Sequence, residues 1–107
     1  MSKTDAFIVS AVRTPVGSFG GSLKDLLHER LAAAVMEEVC KWVNYPKEEL
    51  DDIYWGVVMV RSDENGLARS AALTAEIPDH VSAVQVNRAC CSSMEAIRIA
   101  SMTIRLW

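Results

Sequence analysis

Short apolar runs alternate with helix-like segments along this chain, and this alternation limits the fold more than any other feature. Residues 6–12, 53–60 and 81–86 are rich in β-branched and aromatic side chains, which is typical of strands. A longer segment with helical character follows each run. Consecutive strands joined by helices normally lie parallel in one sheet. The sequence therefore predicts an α/β fold, a layered β-α-β-α-β-α domain with a mainly parallel sheet.

Apolar spacing predicts three helices. The first carries a stripe with a period of about 3.6 residues, made of Leu27, Leu31, Ala34, Val35, Val39 and Trp42. We expect it to start at residues 22–25, which resemble a capping box, and to end at the Asn-Tyr-Pro sequence of residues 44–46. The second is predicted at residues 67–76. The third follows Cys91, and its expected apolar face is Met94, Ile97, Ala100 or Ser101, and Ile104.

Length and composition exclude several classes of protein. The 107 residues correspond to one domain or part of one, and the net charge of −3 without a basic cluster argues against nucleic-acid binding. Apolar runs fall well below the roughly 18 residues that span a bilayer, so we expect no membrane segment. Residues 1–5 carry no targeting pattern, which favours the cytoplasm. Because a small parallel sheet has two open edges, we expect a sequence that is incomplete or needs a partner.

Cys90 stands where the third predicted strand passes through a tight turn into the third helix. A helix N-terminus favours negative charge, and the thiolate is the reactive form of cysteine. The same backbone N–H groups can stabilise an oxyanion that forms when sulfur attacks a carbonyl. Buried cysteines are more often small apolar groups. Position alone therefore leaves two interpretations of Cys90, a nucleophile and a packing residue.

Residues 86–97 read Val-Asn-Arg-Ala-Cys-Cys-Ser-Ser-Met-Glu-Ala-Ile, and this string resembles the nucleophile segment of thiolases. Residues 8–17 and 20–23 resemble the first strand and following loop of that family. Residues 50–56 and 65–73 resemble the second strand and second helix of its fatty-acid-degrading members. These ordered segments cover almost the whole chain, so residues 1–107 are identified as resembling part of a thiolase N-terminal domain.

The resemblance implies an activity and a site. The activity is cleavage of a 3-ketoacyl-CoA with CoA, or the reverse condensation, through an acyl-enzyme on Cys90. The backbone N–H of Cys90 would help to form an oxyanion hole, with CoA as a substrate and no bound cofactor or metal. Thiolases form dimers or tetramers, so we expect a homo-oligomer or pairing with a complementary thiolase half.

The sequence departs from the family pattern at Cys91, where relatives usually carry glycine or another small residue. We expect the Cys91 side chain to pack as a small apolar group. Two alternatives remain open, namely that it crowds the acyl pocket or that it competes as a second thiol.

Motifs that supply the general bases of thiolases are missing from the sequence. Neither Gly-His-Pro, nor Asn-Glu-Ala-Phe, nor a second cysteine followed by x-Gly occurs in the 107 residues. A nucleophilic cysteine without its base loses activation, so we expect this chain alone to be catalytically incomplete. One alternative is a non-catalytic interaction module that recruits a complementary chain at its open sheet edge. Another is a Cys-Cys metal or redox site, which lacks Cys-x-x-Cys spacing and further ligands.

Other polar residues receive structural roles. Ser92 and Ser93 are expected to hydrogen-bond backbone groups at the start of the third helix. His28 and His80 are expected to be ordinary surface or interface imidazoles. Cys40 is expected to be an inert thiol. Finally, Glu95 and Arg98 form an i,i+3 pair that contributes little.

Overall fold

The computed structural model describes residues 5–61 and 66–107. Its elements are α1 (His28–Lys41), a 3-10 turn (Lys47–Glu49), β1 (Asp52–Gly56), α2 (Leu67–Thr74), β2 (Ser82–Val86) and α3 (Ser92–Leu106). The two strands pair in parallel, with Asp52 opposite Ser82 and Gly56 opposite Val86. An α/β fold with helix-linked parallel strands is therefore confirmed.

Helices cover both faces of the two-stranded sheet. Ile53 and Trp55 pack against the core cluster that α1 and α2 form. Tyr54 lies between them in β1, and its hydroxyl is 3.2 Å from the Thr103 hydroxyl of α3. Successive side chains of a strand point to opposite faces. The structure is therefore a three-layer arrangement, with α3 on one face of the sheet and α1 and α2 on the other.

Small side chains dominate the core. Its buried members are Ala32, Ala33, Met36, Ala71, Ala72, Ala75, Ile77 and Val81. The Lys47 ammonium donates a 2.6 Å hydrogen bond to the Ala75 carbonyl at the end of α2, where such carbonyls lack helical partners. Alanine at the contact between α1 and α2 lets the two helices pack closely.

The prediction of a strand at residues 6–12 is wrong for this chain. Residues 5–18 form no regular element, and Phe7, Ile8 and Val9 are each about three-quarters exposed. A β-branched run becomes a strand only when a neighbouring strand supplies ladder hydrogen bonds. Within the described residues, β1 has β2 as its partner in a sheet of two strands. The first predicted strand, at residues 6–12, is therefore not part of this sheet.

The boundaries and buried face of α1 also differ from the prediction. Residues 21–26 form tight turns rather than a helix start, as in the 3.2 Å bond from the Lys24 N–H to the Gly21 carbonyl. Asn44 has a φ of 51°, and the helix ends before it, as expected. Leu27 and Trp42 are exposed. Ala32, Ala33 and Met36 instead pack against α2, and Cys40 is also buried.

The third helix was predicted correctly, but its buried face was not. Met94, Ile97 and Ile104 are 72%, 58% and 47% exposed, whereas Ser92 and Ala96 are buried. At the start of α3 the reason is steric, because Ser92 and Ser93 lie so close to Gly56 of β1 that a larger side chain would not fit between them. The larger apolar side chains consequently face outward.

Two predictions extend beyond the described residues. Residues 62–65, which include most of the loop expected at 61–66 and the first residue of the segment 65–73, lie outside the described residues, as do residues 1–4. In the described part of the chain, no helix is long and apolar enough to cross a membrane.

Candidate functional site

Cys90 lies in the tight turn between β2 and α3. The strand ends at Val86 and the helix begins at Ser92, so residues 87–91 make the whole connection. Ala89 has a φ of 49°, in the left-handed region that residues other than glycine rarely adopt. The predicted strand-to-helix junction is confirmed, and Cys90 directly follows the strained residue Ala89.

Two side chains hold this turn. Asn87 Oδ1 accepts the Ala89 N–H at 3.1 Å, and Asn87 Nδ2 donates to the Val58 carbonyl at 3.3 Å. Ser92 Oγ accepts the Arg88 N–H at 2.9 Å and donates to the Ala89 carbonyl at 2.6 Å. Ser92 is only 2% exposed. The expectation that Ser92 bonds backbone at the helix start is confirmed.

Backbone hydrogen bonds complete the turn. The N–H of Cys91 donates to the Arg88 carbonyl and the N–H of Ser92 donates to the Ala89 carbonyl, both at 3.1 Å. The N–H of Cys90 is not among the donors of these turn bonds. An N–H group that already donates within the turn could not bind an oxyanion. The Cys90 N–H can therefore take an oxyanion role only because the turn does not use it as a donor.

The three cysteines are free thiols in different surroundings. Cys90 and Cys91 are exposed, whereas Cys40 is buried in α1. Burial raises the pKa of the Cys40 thiol, and the charge of Lys47 opposes this only in part. The burial of Cys40 and the raised pKa of its thiol agree with the inert role expected for it. The expectation that Cys91 packs is wrong for this chain, since the residue lies exposed at the N-cap of α3.

An ion-pair cluster of one carboxylate and two guanidinium groups joins the turn to α3. Arg98 donates to both Glu95 oxygens at 2.6 and 2.8 Å, and Arg88 donates to Glu95 Oε2 at 2.9 Å. The hydrogen bond from Arg98, assisted by Arg88, lowers the pKa of Glu95 to about 2. Sequence reasoning found the Arg98 pair but missed Arg88. Arg88 lies seven residues before Glu95, and the turn rather than helical spacing brings it alongside.

Gly56 allows the close contact between β1 and α3. A Cβ at this position would lie 2.5 Å from the Ser93 nitrogen and 2.6 Å from the Ser92 carbonyl carbon. Real Cβ atoms do not approach backbone so closely, so only glycine fits here. Sequence reasoning missed this role. The available signal was a glycine at the end of an otherwise bulky strand, which often marks a close backbone approach.

The strand order places His80 away from Cys90. His80 precedes β2 and Cys90 follows it, and the first and last residues of a five-residue strand lie about 13 Å apart. The His80 Nε2 atom instead lies 3.1 Å from the Glu48 carbonyl oxygen. His28 is exposed at the first residue of α1 and lines a small cleft with Trp55. Both positions fit the structural roles predicted for these imidazoles.

One apolar cleft of the described residues lies away from the Cys90 turn. An open apolar cleft of about 510 Å³ is lined by residues 7–10 and by the ends of α1 and α3, and Cys90 does not line it. Among residues 5–61 and 66–107, no group of three or more His, Cys, Asp or Glu side chains is placed to hold a metal ion. Cys90 itself is exposed.

Comparison with known proteins gives consistent matches. Residues 6–106 match the family described as Thiolase, N-terminal domain. A 3-ketoacyl-CoA thiolase of Aeromonas hydrophila is 42% identical over 105 residues, which cover 95% of this chain and 27% of that protein. An acetyl-CoA acetyltransferase of Syntrophomonas wolfei is 36% identical over 101 residues, or 94% of this chain and 26% of that protein.

Solved structures show the same relationship. The acetyl-CoA acetyltransferase of Bacillus anthracis superposes with a TM-score of 0.92 at 39% identity, covering 97% of this chain and 26% of that one. A thiolase of Ascaris suum, solved in complex with coenzyme A, superposes with a TM-score of 0.91 at 32% identity. The match covers 96% of this chain and 27% of that one. The chain thus spans about a quarter of the length of the relatives it matches.

Proposed function

This chain belongs to the thiolase family, and on that premise we propose that it supplies the nucleophile of a thiolase-type acyltransferase. The nucleophile is Cys90. One observation carries the proposal, an exposed free thiol in a strained strand-to-helix turn, two residues before the first residue of α3. Relatives that match almost the whole of this chain bear the names 3-ketoacyl-CoA thiolase and acetyl-CoA acetyltransferase.

In the proposed reaction, the Cys90 thiolate attacks the 3-keto carbonyl carbon of a 3-ketoacyl-CoA. A sulfur–carbon bond forms, the bond between carbons 2 and 3 breaks, and the released acetyl-CoA carbanion takes up a proton. The thiol of free CoA then loses its proton and accepts the acyl group, which restores the Cys90 thiolate. The N–H of Cys90 would donate to the oxyanion of each tetrahedral intermediate. The reverse sequence joins two acyl groups.

The chain holds part of the machinery for this reaction. Breaking or forming the carbon–carbon bond needs a general base, and the Gly-His-Pro segment that the resemblance implies is not among the 107 residues. Exchange of an acyl group from acyl-CoA to Cys90 breaks no carbon–carbon bond and needs only a thiolate and a thioester, and alkaline pH forms the thiolate where the base is missing. This half-reaction is therefore the step that tests the chain by itself.

Acetyl-CoA and mass spectrometry test the proposal directly. The folded chain is incubated with acetyl-CoA, quenched in acid, and mapped for thioester-linked acetyl groups. We expect acetylation of Cys90, its loss in Cys90→Ser, and its retention in the matched control Cys91→Ser. Preferential acetylation of Cys91 or Cys40 contradicts the proposal.

A second function rests on a different observation, the exposed apolar face of α3 that carries Met94, Ile97 and Ile104. A face of this kind on a small domain favours association with another chain. We propose a second copy of this chain or a complementary thiolase half as the partner.

The three free cysteines suit a reducing compartment, which supports the cytoplasm as the location.

Sedimentation at several protein concentrations tests this association. We expect a concentration-dependent increase in mass that Ile97→Asp abolishes, with Lys24→Asp on the exposed turn before α1 as the matched control. A strictly monomeric chain over the whole range contradicts a self-association role and leaves the complementary half to be tested by mixing.

A further inference from the structure

We propose that Asn87 is a positioning residue for Cys90, and this inference rests on the proposed function. The Asn87 carboxamide holds Ala89 in its left-handed conformation. Ala89 is bonded directly to Cys90, so its φ angle sets where the backbone of Cys90 lies relative to the start of α3.

Ala89 needs such support because its conformation is intrinsically unfavourable. A Cβ atom makes the left-handed region costly, and residues stay there only when their surroundings impose it. The Ala89 N–H donates to Asn87 Oδ1 at 3.1 Å, which is the side-chain-to-backbone bond of an Asx turn. This bond fixes the peptide group that precedes Ala89.

Asn87 also connects the turn to β1. Its Nδ2 atom donates to the Val58 carbonyl at 3.3 Å. The neighbouring bond between the two strands runs from the Val57 N–H to the Val86 carbonyl, at 3.0 Å. The carboxamide therefore extends the contact between the two parallel strands by one side-chain bond. Asparagine is suited to this position because its side chain both accepts and donates, whereas aspartate only accepts.

Asn87 differs from Ser92, the other side chain that holds the turn. Ser92 is buried, so its removal affects packing and hydrogen bonding together. Asn87 is exposed, and removing its side chain leaves the core intact. Its effect on Cys90 can therefore be measured apart from an effect on folding.

The test compares two thiols within one molecule. Iodoacetamide alkylation followed by peptide mapping gives the ratio of the Cys90 and Cys91 rate constants. We expect Asn87→Ala to lower this ratio about fivefold, the factor that corresponds to one hydrogen bond of ordinary strength. Asn87→Asp, which keeps the acceptor for the Ala89 N–H, should fall between Asn87→Ala and the unmodified chain.

A second substitution makes the test specific to Ala89. Glycine adopts the left-handed conformation without support, so Ala89→Gly added to Asn87→Ala should restore most of the ratio. A purely structural role predicts a lower urea midpoint with an unchanged ratio, and no restoration by glycine. Either of those results overturns the inference.

Amide exchange separates this inference from the proposed function. Asn87→Ala should accelerate hydrogen exchange of the Ala89 N–H whether or not Cys90 accepts acyl groups. If acetyl-CoA leaves Cys90 unmodified, the proposed function fails while accelerated exchange still supports the positioning role. Unchanged exchange at Ala89 contradicts the positioning role alone.

Discussion

Replacing Gly56 with alanine tests the contact that places the start of α3. The added Cβ would lie 2.5 Å from the Ser93 nitrogen, 2.6 Å from the Ser92 carbonyl carbon and 2.7 Å from the Ser93 Cα. All three neighbours are backbone atoms, so no flexible side chain can move aside. The first turn of α3 must shift away from β1 or the strand must bend.

Overpacking of this kind costs about 1–3 kcal/mol, and the backbone contact places Gly56→Ala near 3 kcal/mol. For a domain of this size, about 3 kcal/mol corresponds to a loss of more than about 10 °C in Tm. Urea and thermal unfolding followed by circular dichroism measure both quantities. Because α3 begins beside the Cys90 turn, the variant should also change the ratio of Cys90 to Cys91 alkylation.

Gly17→Ala is the matched control. The closest atoms to its added Cβ belong to the Leu23 side chain, which can adjust, and its stability should stay within about 0.5 kcal/mol of the unmodified chain. A Gly56→Ala variant that is as stable as Gly17→Ala would show that α3 does not depend on close approach to β1.

Three further predictions concern buried or charged groups. Ser92→Ala leaves two backbone groups of the turn without their side-chain partner and should cost about 1–3 kcal/mol in urea unfolding, whereas exposed Ser93→Ala should cost less than about 0.5 kcal/mol. The pKa of Glu95 is lowered to about 2 in the folded chain. Ionised Glu95 therefore stabilises the folded chain above the ordinary glutamate pKa of about 4.3, and this stabilisation is lost as pH falls from there toward 2. The urea midpoint should therefore drop more between about pH 5 and about pH 3 in the unmodified chain than in Glu95→Gln; equal drops contradict this assignment. Burial raises the pKa of the Cys40 thiol, so iodoacetamide should label it only after unfolding in urea, and rapid labelling of the folded chain contradicts its burial.

Local patterns were sufficient to predict most elements of the fold. The β-branched runs that contain β1 and β2, the alanine-rich α2 and the strand-to-helix junction at Cys90 all follow from residue type and spacing over a few positions. Parallel pairing followed from the helix between the strands. These features depend on interactions within or between neighbouring segments.

Features that depend on distant neighbours were not predictable in this way. Residues 6–12 have the composition of a strand, yet they form none because pairing needs a second strand at the right place. On α3, Met94 and Ile97 looked like the buried face, but the close contact at Gly56 turns the small residues inward. A helical period shows that a helix has an apolar face, and the partner decides which face is covered.

The same limit applied to the site. The position of Cys90 could be predicted, because the chain order alone puts it between a strand and a helix. The left-handed Ala89 and the reach of Asn87 to Val58 could not, since they depend on the path of the turn and on the loop after β1.

The central claim is that the fold, and not cysteine chemistry alone, makes Cys90 the reactive thiol. The ratio of Cys90 to Cys91 alkylation rate constants, measured in the folded chain and again in urea, tests this claim most directly because the two residues are adjacent in sequence. We predict a ratio clearly above one in the folded chain that falls to about one on unfolding. The same ratio in both states would contradict the account.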